Sequence, residues 1–209
     1  MRYYTLFIMF ALSLSTALAQ DSVCQKLIDL TKNNYIKNKY ASRCFSKSSS
    51  NGIDMDMILE LDTFLNYSIV TLMDMKGMKY KTEQIVYNKK SYVRMNGGNW
   101  QTANLDSHEL INTYIPSLNM QNQLFRNCKQ LEDDKVGDKN CWVFETEVDK
   151  TTTIKDKKFQ FKSINKMWIT PDKGLVLKMI TESNQNNITM RLESIIEYDN
   201  TIKIGEPVK

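Results

Sequence analysis

The chain has 209 residues, and 28 Lys and Arg against 24 Asp and Glu give a formal net charge of only +4. Such a small excess, spread along the chain, does not provide the basic surface that nucleic acid requires, so we expect no nucleic-acid partner. A single histidine and four cysteines without a C-x-x-C pair argue against a structural zinc site. We expect neither a metal nor a cofactor.

The first nineteen residues have the pattern of a secretory signal peptide. Arg2 precedes an apolar stretch that is short for a membrane span, and Ala17-Leu18-Ala19 forms an A-x-A cleavage site. We therefore predict a signal peptide over residues 1–19 and export to the periplasm or the extracellular space. Residues 20–209 contain no glycine- or proline-rich linker, which favours a single β domain.

Residues 21–40 are predicted to form an N-terminal helix, because apolar side chains recur from Val23 to Tyr35 at roughly helical spacing. Asp21 or Ser22 is available as the N-cap. The polar segment that follows, SKSSSNG from Ser46 to Gly52, predicts a flexible connection between this helix and the rest of the domain.

The segment from Ile53 to Leu61 predicts a half-buried strand, because odd-numbered positions are apolar and Asp54, Asp56 and Glu60 occupy even-numbered ones. Eight further strands follow at hairpin spacing, and together the nine predict one antiparallel meander, either a closed barrel or a strongly curved open sheet. The eight are Tyr67–Met75, Met78–Tyr87, Ser91–Met95, Leu124–Leu131, Cys141–Val148, Phe159–Ile169, Leu175–Thr181 and Ile188–Tyr198.

Residues 103–123 interrupt the strands, because they lack period-2 alternation and contain Pro116. We predict one or two short helices packed across the sheet. Asp106, His108 and Glu109 lie too close in sequence for a catalytic triad, which is assembled from distant segments, so a helix cap is favoured. The chain contains no nucleophile elbow, zinc-protease or phosphate-loop motif, and we expect no enzymatic activity.

The four cysteines are an even number in an oxidising compartment and predict two disulfides. Cys128 and Cys141 flank a predicted turn, and facing positions of a hairpin suit a disulfide, so we expect this pair. By elimination Cys24 then pairs with Cys44. That second pair requires the N-terminal helix to break near Asn33-Asn34, since an unbroken helix would carry its end too far away.

Nine methionines fall in or beside predicted strands. Methionine adapts to irregular apolar surfaces, and two interpretations stay open, namely ordinary core filling and the lining of an apolar cavity. The second predicts that the odd-numbered face of the strand from Ile53 binds a ligand together with residues of neighbouring strands. The candidate ligand-binding residues are Met55, Met57, Leu59, Leu61, Met73, Met75, Trp168, Leu177 and Met190.

The segment Lys166–Lys178, KMWITPDKGLVLK, resembles the outer-membrane lipoprotein carrier (LolA-like) superfamily. Its first strand ends in Trp plus an aliphatic residue, its turn closes with Gly-Leu, and a strand with apolar residues and Lys returns. Tyr92–Trp100 and Val136–Val143 are similar in kind to that group's central strands. The resemblance spans roughly residues 22–205. It implies a curved half-barrel with an N-terminal helix and a mid-chain helical lid, whose concave apolar face receives acyl chains.

The sequence thus favours an exported, mainly β, non-enzymatic carrier or binding protein for a lipid, acyl chain or other apolar ligand. The resemblance further implies a lipoprotein or a membrane-bound protein as a partner, with Arg43 and Arg94 as the alternatives for the family's functional arginine. Two other functions stay open. One is an envelope sensor or protein-interaction module that uses the same fold, and the other is a hydrolase whose scattered acidic residues converge only in the fold.

Overall fold

The computed structural model describes residues 22–31, 41–62, 66–103, 124–154, 157–185 and 188–207. Within these ranges the chain forms one helix, α1 over residues 22–31, and a sheet of twelve strands. The predicted signal peptide, the second half of the predicted helix and nearly all of the predicted helical lid lie outside the described residues. None of the helical residues described here forms a segment long and apolar enough to cross a membrane.

The strands alternate apolar and polar side chains, which suits a sheet with one face packed and one face in water. In chain order they are β1 Ser42–Ser50, β2 Ile53–Leu61, β3 Tyr67–Met75, β4 Met78–Tyr87, β5 Lys90–Met95, β6 Gln101–Ala103, β7 Leu124–Gln130, β8 Asp134–Val136, β9 Lys139–Ile154, β10 Lys157–Ile169, β11 Val176–Gln185 and β12 Ile188–Tyr198.

All pairings between these strands are antiparallel, and the order across the sheet is β6-β5-β4-β3-β2-β1-β12-β11-β10-β9-β7, with β8 paired to β9. Two successive meanders, from β1 to β6 and from β7 to β12, are therefore joined where β1 pairs with β12. The sheet ends at β6 on one side and at β7 on the other, so it is not closed into a barrel. Of the two predicted architectures, the open sheet is the one found.

The prediction of a flexible connection over Ser46–Gly52 is wrong. Ser46 to Ser50 belong to β1, which pairs with β2 on one side and β12 on the other and lies in the middle of the sheet. Asn51 and Gly52 form the hairpin turn, with φ of 49° and 75° respectively. Both values lie in the left-handed region that this tight turn requires, which asparagine and glycine adopt most readily.

A disulfide between Cys24 and Cys128 fastens α1 to the sheet, with the two Cα atoms 5.2 Å apart. Both predicted pairings are therefore wrong. Cys128 packs in the cluster beneath α1, whereas Cys141 packs in the cluster on the opposite side of the sheet, so the two thiols point apart. Cys44 and Cys141 are free and buried. The predicted helix break near Asn33 lies outside the described residues.

Candidate ligand-binding face

The sheet has two chemically different faces. One packs against α1, whose Leu27 is fully buried in a cluster with residues such as Cys44, Leu59 and Met167, and we call it the helix face. Directly paired residues of neighbouring strands point to the same side of the sheet. The strand registers therefore show on which face each remaining strand residue lies. We call the opposite side the charged face.

The described charged side chains of the continuous sheet share one face. In the eleven strands that form the continuous sheet, every Lys, Arg, Asp and Glu whose side chain is described lies on the charged face. Among them Arg43 contacts Glu60 at 2.6 Å, and Arg94 makes two hydrogen bonds to Glu83, at 2.8 and 2.9 Å. The described side chains on the helix face of these strands are apolar or polar without charge.

Part of the helix face forms the main core. Met57, Leu59 and Leu61 of β2 are 2–4% exposed and pack with Tyr67 of β3 and with α1. Tyr198 packs at the edge of this cluster and donates a hydrogen bond to the Val176 carbonyl at 3.1 Å, and burial raises the pKa of its phenol. Three of the predicted ligand-binding residues are therefore core residues of the folded chain.

Towards the β1–β2 and β3–β4 turns, the helix face is apolar but open. Ile53 is 40% exposed and Met190 is 42% exposed, while Met55, Met73 and Met75 are half-buried. The registers place Met55 opposite Met73 and Ile53 opposite Met75, so these four side chains adjoin one another, and Met190 lies across the serines of β1 from them. Met78, opposite Met75, extends the patch onto β4. We call this region the methionine patch; it contains Ile53, Met55, Met73, Met75, Met78 and Met190.

A band of uncharged polar groups crosses the helix face beside the core. The hydroxyl oxygens of Ser46 and Ser194 lie 2.8 Å apart, and the Cys44 sulfur lies 3.4 Å from Ser46 Oγ. Burial raises the pKa of the Cys44 thiol, so it stays protonated at neutral pH. On β10 and β11, Asn165 Oδ1 and Thr181 Oγ1 are buried and, within the described part of the chain, have no hydrogen-bond partner.

Two predicted ligand-binding residues lie on the other face. Trp168 and Leu177 belong to a second cluster on the charged face, with Cys141 and Val143. A shift of register between Trp168 and Ile169 makes Val176 the partner of Ile169 and Lys178 the partner of Trp168. The unpaired Leu177 is therefore a β-bulge residue, and it turns onto the same side as Lys178. Trp168 and Leu177 consequently cannot share one binding surface with Met55 or Met190.

Trp168 is held by polar neighbours on the charged face. Its Nε1 donates a hydrogen bond to Asp134 Oδ2 at 2.9 Å, and the ammonium groups of Lys166 and Lys178 lie 5.0 and 5.1 Å from the ring centroid. The hydrogen bond from Trp168 lowers the pKa of the Asp134 carboxyl. This indole is 5% exposed and serves as a packing residue.

A cleft of about 700 Å³ lies between α1 and the turn at 171–174. Lys26 extends along it with its ammonium 4.0 Å from the ring centroid of Trp142, and this ammonium donates a hydrogen bond to Gln130 Oε1 at 2.9 Å. None of the predicted ligand-binding residues lines this cleft. Across the described ranges, no group of three or more His, Cys, Asp or Glu side chains is placed to hold a metal ion.

Comparison with known proteins gives remote similarities in structure only. Neither a protein-family model nor a curated protein sequence matches the chain. A LolA superfamily protein from Nitrosomonas europaea is similar over 83% of this chain and 92% of its own, with 7% identity and a TM-score of 0.35. A member of the superfamily that the sequence resembles is thus among the similar structures.

Two other similar structures have the same low level of identity. A DUF1329 family protein from Desulfovibrio piger matches over 84% of this chain and 91% of its own, with 11% identity and a TM-score of 0.31. MucB, solved in complex with the periplasmic part of MucA, matches over 84% of this chain but only 55% of its own, with 12% identity and a TM-score of 0.37. These values show a remote likeness of fold and carry no information about ligands.

Proposed function

We propose that the protein is an exported, non-enzymatic binding protein or carrier for a lipid, an acyl chain or another apolar ligand, held on the helix face. The observation that supports this is the methionine patch, an exposed apolar region whose paired residues on neighbouring strands carry no charge. A contiguous exposed apolar surface is unusual for a soluble protein and marks an interaction site. Flexible methionine side chains suit a ligand whose shape varies.

Export is supported by two independent features. The first residues have the charge, apolar core and A-x-A pattern of a signal peptide, and α1 is joined to β7 by a disulfide. Structural disulfides persist in the periplasm and outside the cell but are rare in a reducing cytoplasm.

The test is a fluorescence titration of the folded protein with a neutral apolar dye such as N-phenyl-1-naphthylamine. We expect saturable binding at micromolar protein. The double variant Met75→Lys/Met190→Lys should weaken it at least about tenfold, because a lysine at the patch would have to lose water when the dye binds. The dye is uncharged, so the lysines cannot attract it electrostatically.

The matched control is Leu72→Lys/Ile195→Lys. These residues lie in the same two strands on the charged face, and Ile195 is 42% exposed, the same fraction as Met190. The control should bind the dye as the wild type does. If the folded wild type shows no saturable binding, the carrier proposal is abandoned in favour of a protein-interaction module.

A further inference from the structure

The helix face contains two buried hydrogen-bonding atoms that have no partner among the described residues, Asn165 Oδ1 and Thr181 Oγ1. Asn165 is 3% exposed, so bulk water does not hydrogen-bond to its amide oxygen. The two residues are directly paired across β10 and β11, which brings their Cβ atoms to within about 5.5 Å of each other. Unpaired buried polar atoms destabilise a fold, and two in adjacent positions form a site for one polar group.

This polar pair lies at the boundary between the core and the methionine patch. One step along the strands on the core side, Met167 and Met179 are paired with each other and fully buried. Across the sheet, the registers lead from Thr181 to Leu192, then to Ser48 and Met55, and on to Met73. Four strand spacings make this row about 19 Å long. An extended chain anchored at the polar pair would therefore lie across β12, β1 and β2 and reach the patch.

The chemistry of the pair selects the polar group. A hydroxyl can donate its proton to the amide oxygen of Asn165 and accept the proton of the Thr181 hydroxyl, which gives both of these oxygen atoms a partner. A carboxylate has no proton to donate, and it would lose water among strand neighbours of the pair that carry no positive charge. The nearest cation on α1, Lys26, already lies over Trp142 and donates to Gln130.

We propose that the ligand of the helix face is a neutral amphiphile with a hydroxyl head group, such as a monoacylglycerol or a long-chain alcohol. Its hydroxyl binds Asn165 and Thr181, and its chain extends over Leu192 towards Met55 and Met73. This inference rests on the proposed function and specifies which apolar ligands the same face prefers.

The experiment compares three probes of equal chain length: 1-monolauroylglycerol, methyl laurate and laurate at pH 8, each below its micelle concentration. We expect the wild type to bind the monoglyceride about tenfold or more tightly than the methyl ester, which cannot donate a hydrogen bond, or the carboxylate. Thr181→Val and Asn165→Leu remove the polar atoms with little change in side-chain size. In each variant the affinities for the monoglyceride and the methyl ester should differ by no more than about twofold, while the methyl ester still binds.

Stability gives a second readout. Removing an unpaired buried polar atom should leave the melting temperature unchanged or raise it, whereas removing an atom that the protein itself satisfies would lower it. Thr71→Val, on the helix face of β3, is the control and should keep the wild-type ratio. Equal wild-type affinity for monoglyceride and methyl ester, or a ratio that survives in Thr181→Val, would overturn the proposal. Absence of binding for all three probes and the neutral dye would instead overturn the proposed function.

Discussion

The helix face and the charged face are formed by the same strands, yet the residues that surround their exposed apolar side chains differ. On the charged face, Ile58 is 37% exposed and stands between Asp56 and Glu60, and Ile195 stands between Glu193 and Glu197. Both isoleucines pair with Phe45, so an apolar row also crosses the charged face, but acidic residues of the same strand flank each isoleucine. In the methionine patch the exposed apolar residues pair with uncharged residues only. Exposure alone therefore does not distinguish the two faces, whereas charge beside the exposed apolar residues does.

The largest expected effect is the difference in stability between two lysine substitutions at neighbouring residues of β2, one on each face. Leu59→Lys puts an ammonium group at a site that is 2% exposed, and the cost of several kcal/mol approaches the whole stability of a domain. Ile58→Lys places it at a site that is 37% exposed, and the effect should stay within about 0.5 kcal/mol. Circular dichroism and urea unfolding of both variants measure the difference. Similar losses in the two variants would show that the faces do not differ in burial.

The next largest effect concerns the attachment of α1 to the helix face. The disulfide joins residues 104 positions apart, and a loop of this size corresponds to about 4.7 kcal/mol of chain entropy. Cys24→Ala/Cys128→Ala should therefore lower the free energy of unfolding by about 2–5 kcal/mol. Urea unfolding with and without reductant measures this. Reductant should weaken the wild type and leave the double variant unchanged, and peptide mapping that found a bond to Cys44 or Cys141 would contradict the structure.

The smallest effect is expected on the charged face, at the hydrogen bond from Trp168 to Asp134. This bond holds the pKa of Asp134 below its ordinary value of 3.8 in the folded chain. The stability it provides is therefore present above that ordinary value and is lost as the pH falls through the lower folded pKa. Asp134→Asn should lower the melting temperature slightly at pH 7 and remove this part of the acid dependence. Asp133→Asn is the control, and an unchanged acid dependence in Asp134→Asn would refute the linkage.

Local alternation allowed the sequence to predict several strands almost to the residue. β2, β3, β4 and β12 have the predicted bounds, and the odd-numbered side of β2 is the packed side, since Met57, Leu59 and Leu61 are buried. These strands carry their apolar residues on one side, so period 2 is visible in the sequence.

The sequence does not reveal strand β1, because its helix-face positions beyond Cys44 are Ser46, Ser48 and Ser50, which give no apolar alternation. The signal that could have located it is the Asn51-Gly52 dipeptide, a strong hairpin turn. Leu177 was assigned to the wrong face for a different reason. A single bulge in β11 reverses the alternation of every residue beyond it, and no local pattern in the sequence marks it.

The sequence by itself determined the strand-rich class, the N-terminal helix and most strand positions, because these depend on periodicity and turn composition within a few residues. The tertiary structure decided the pairing of β1 with β12, the bond between Cys24 and Cys128, and which face each side chain joins. These features join residues that are a hundred or more positions apart, or they depend on a bulge. The helix face and its buried polar pair are therefore a property of the strand registers, which only the folded sheet defines.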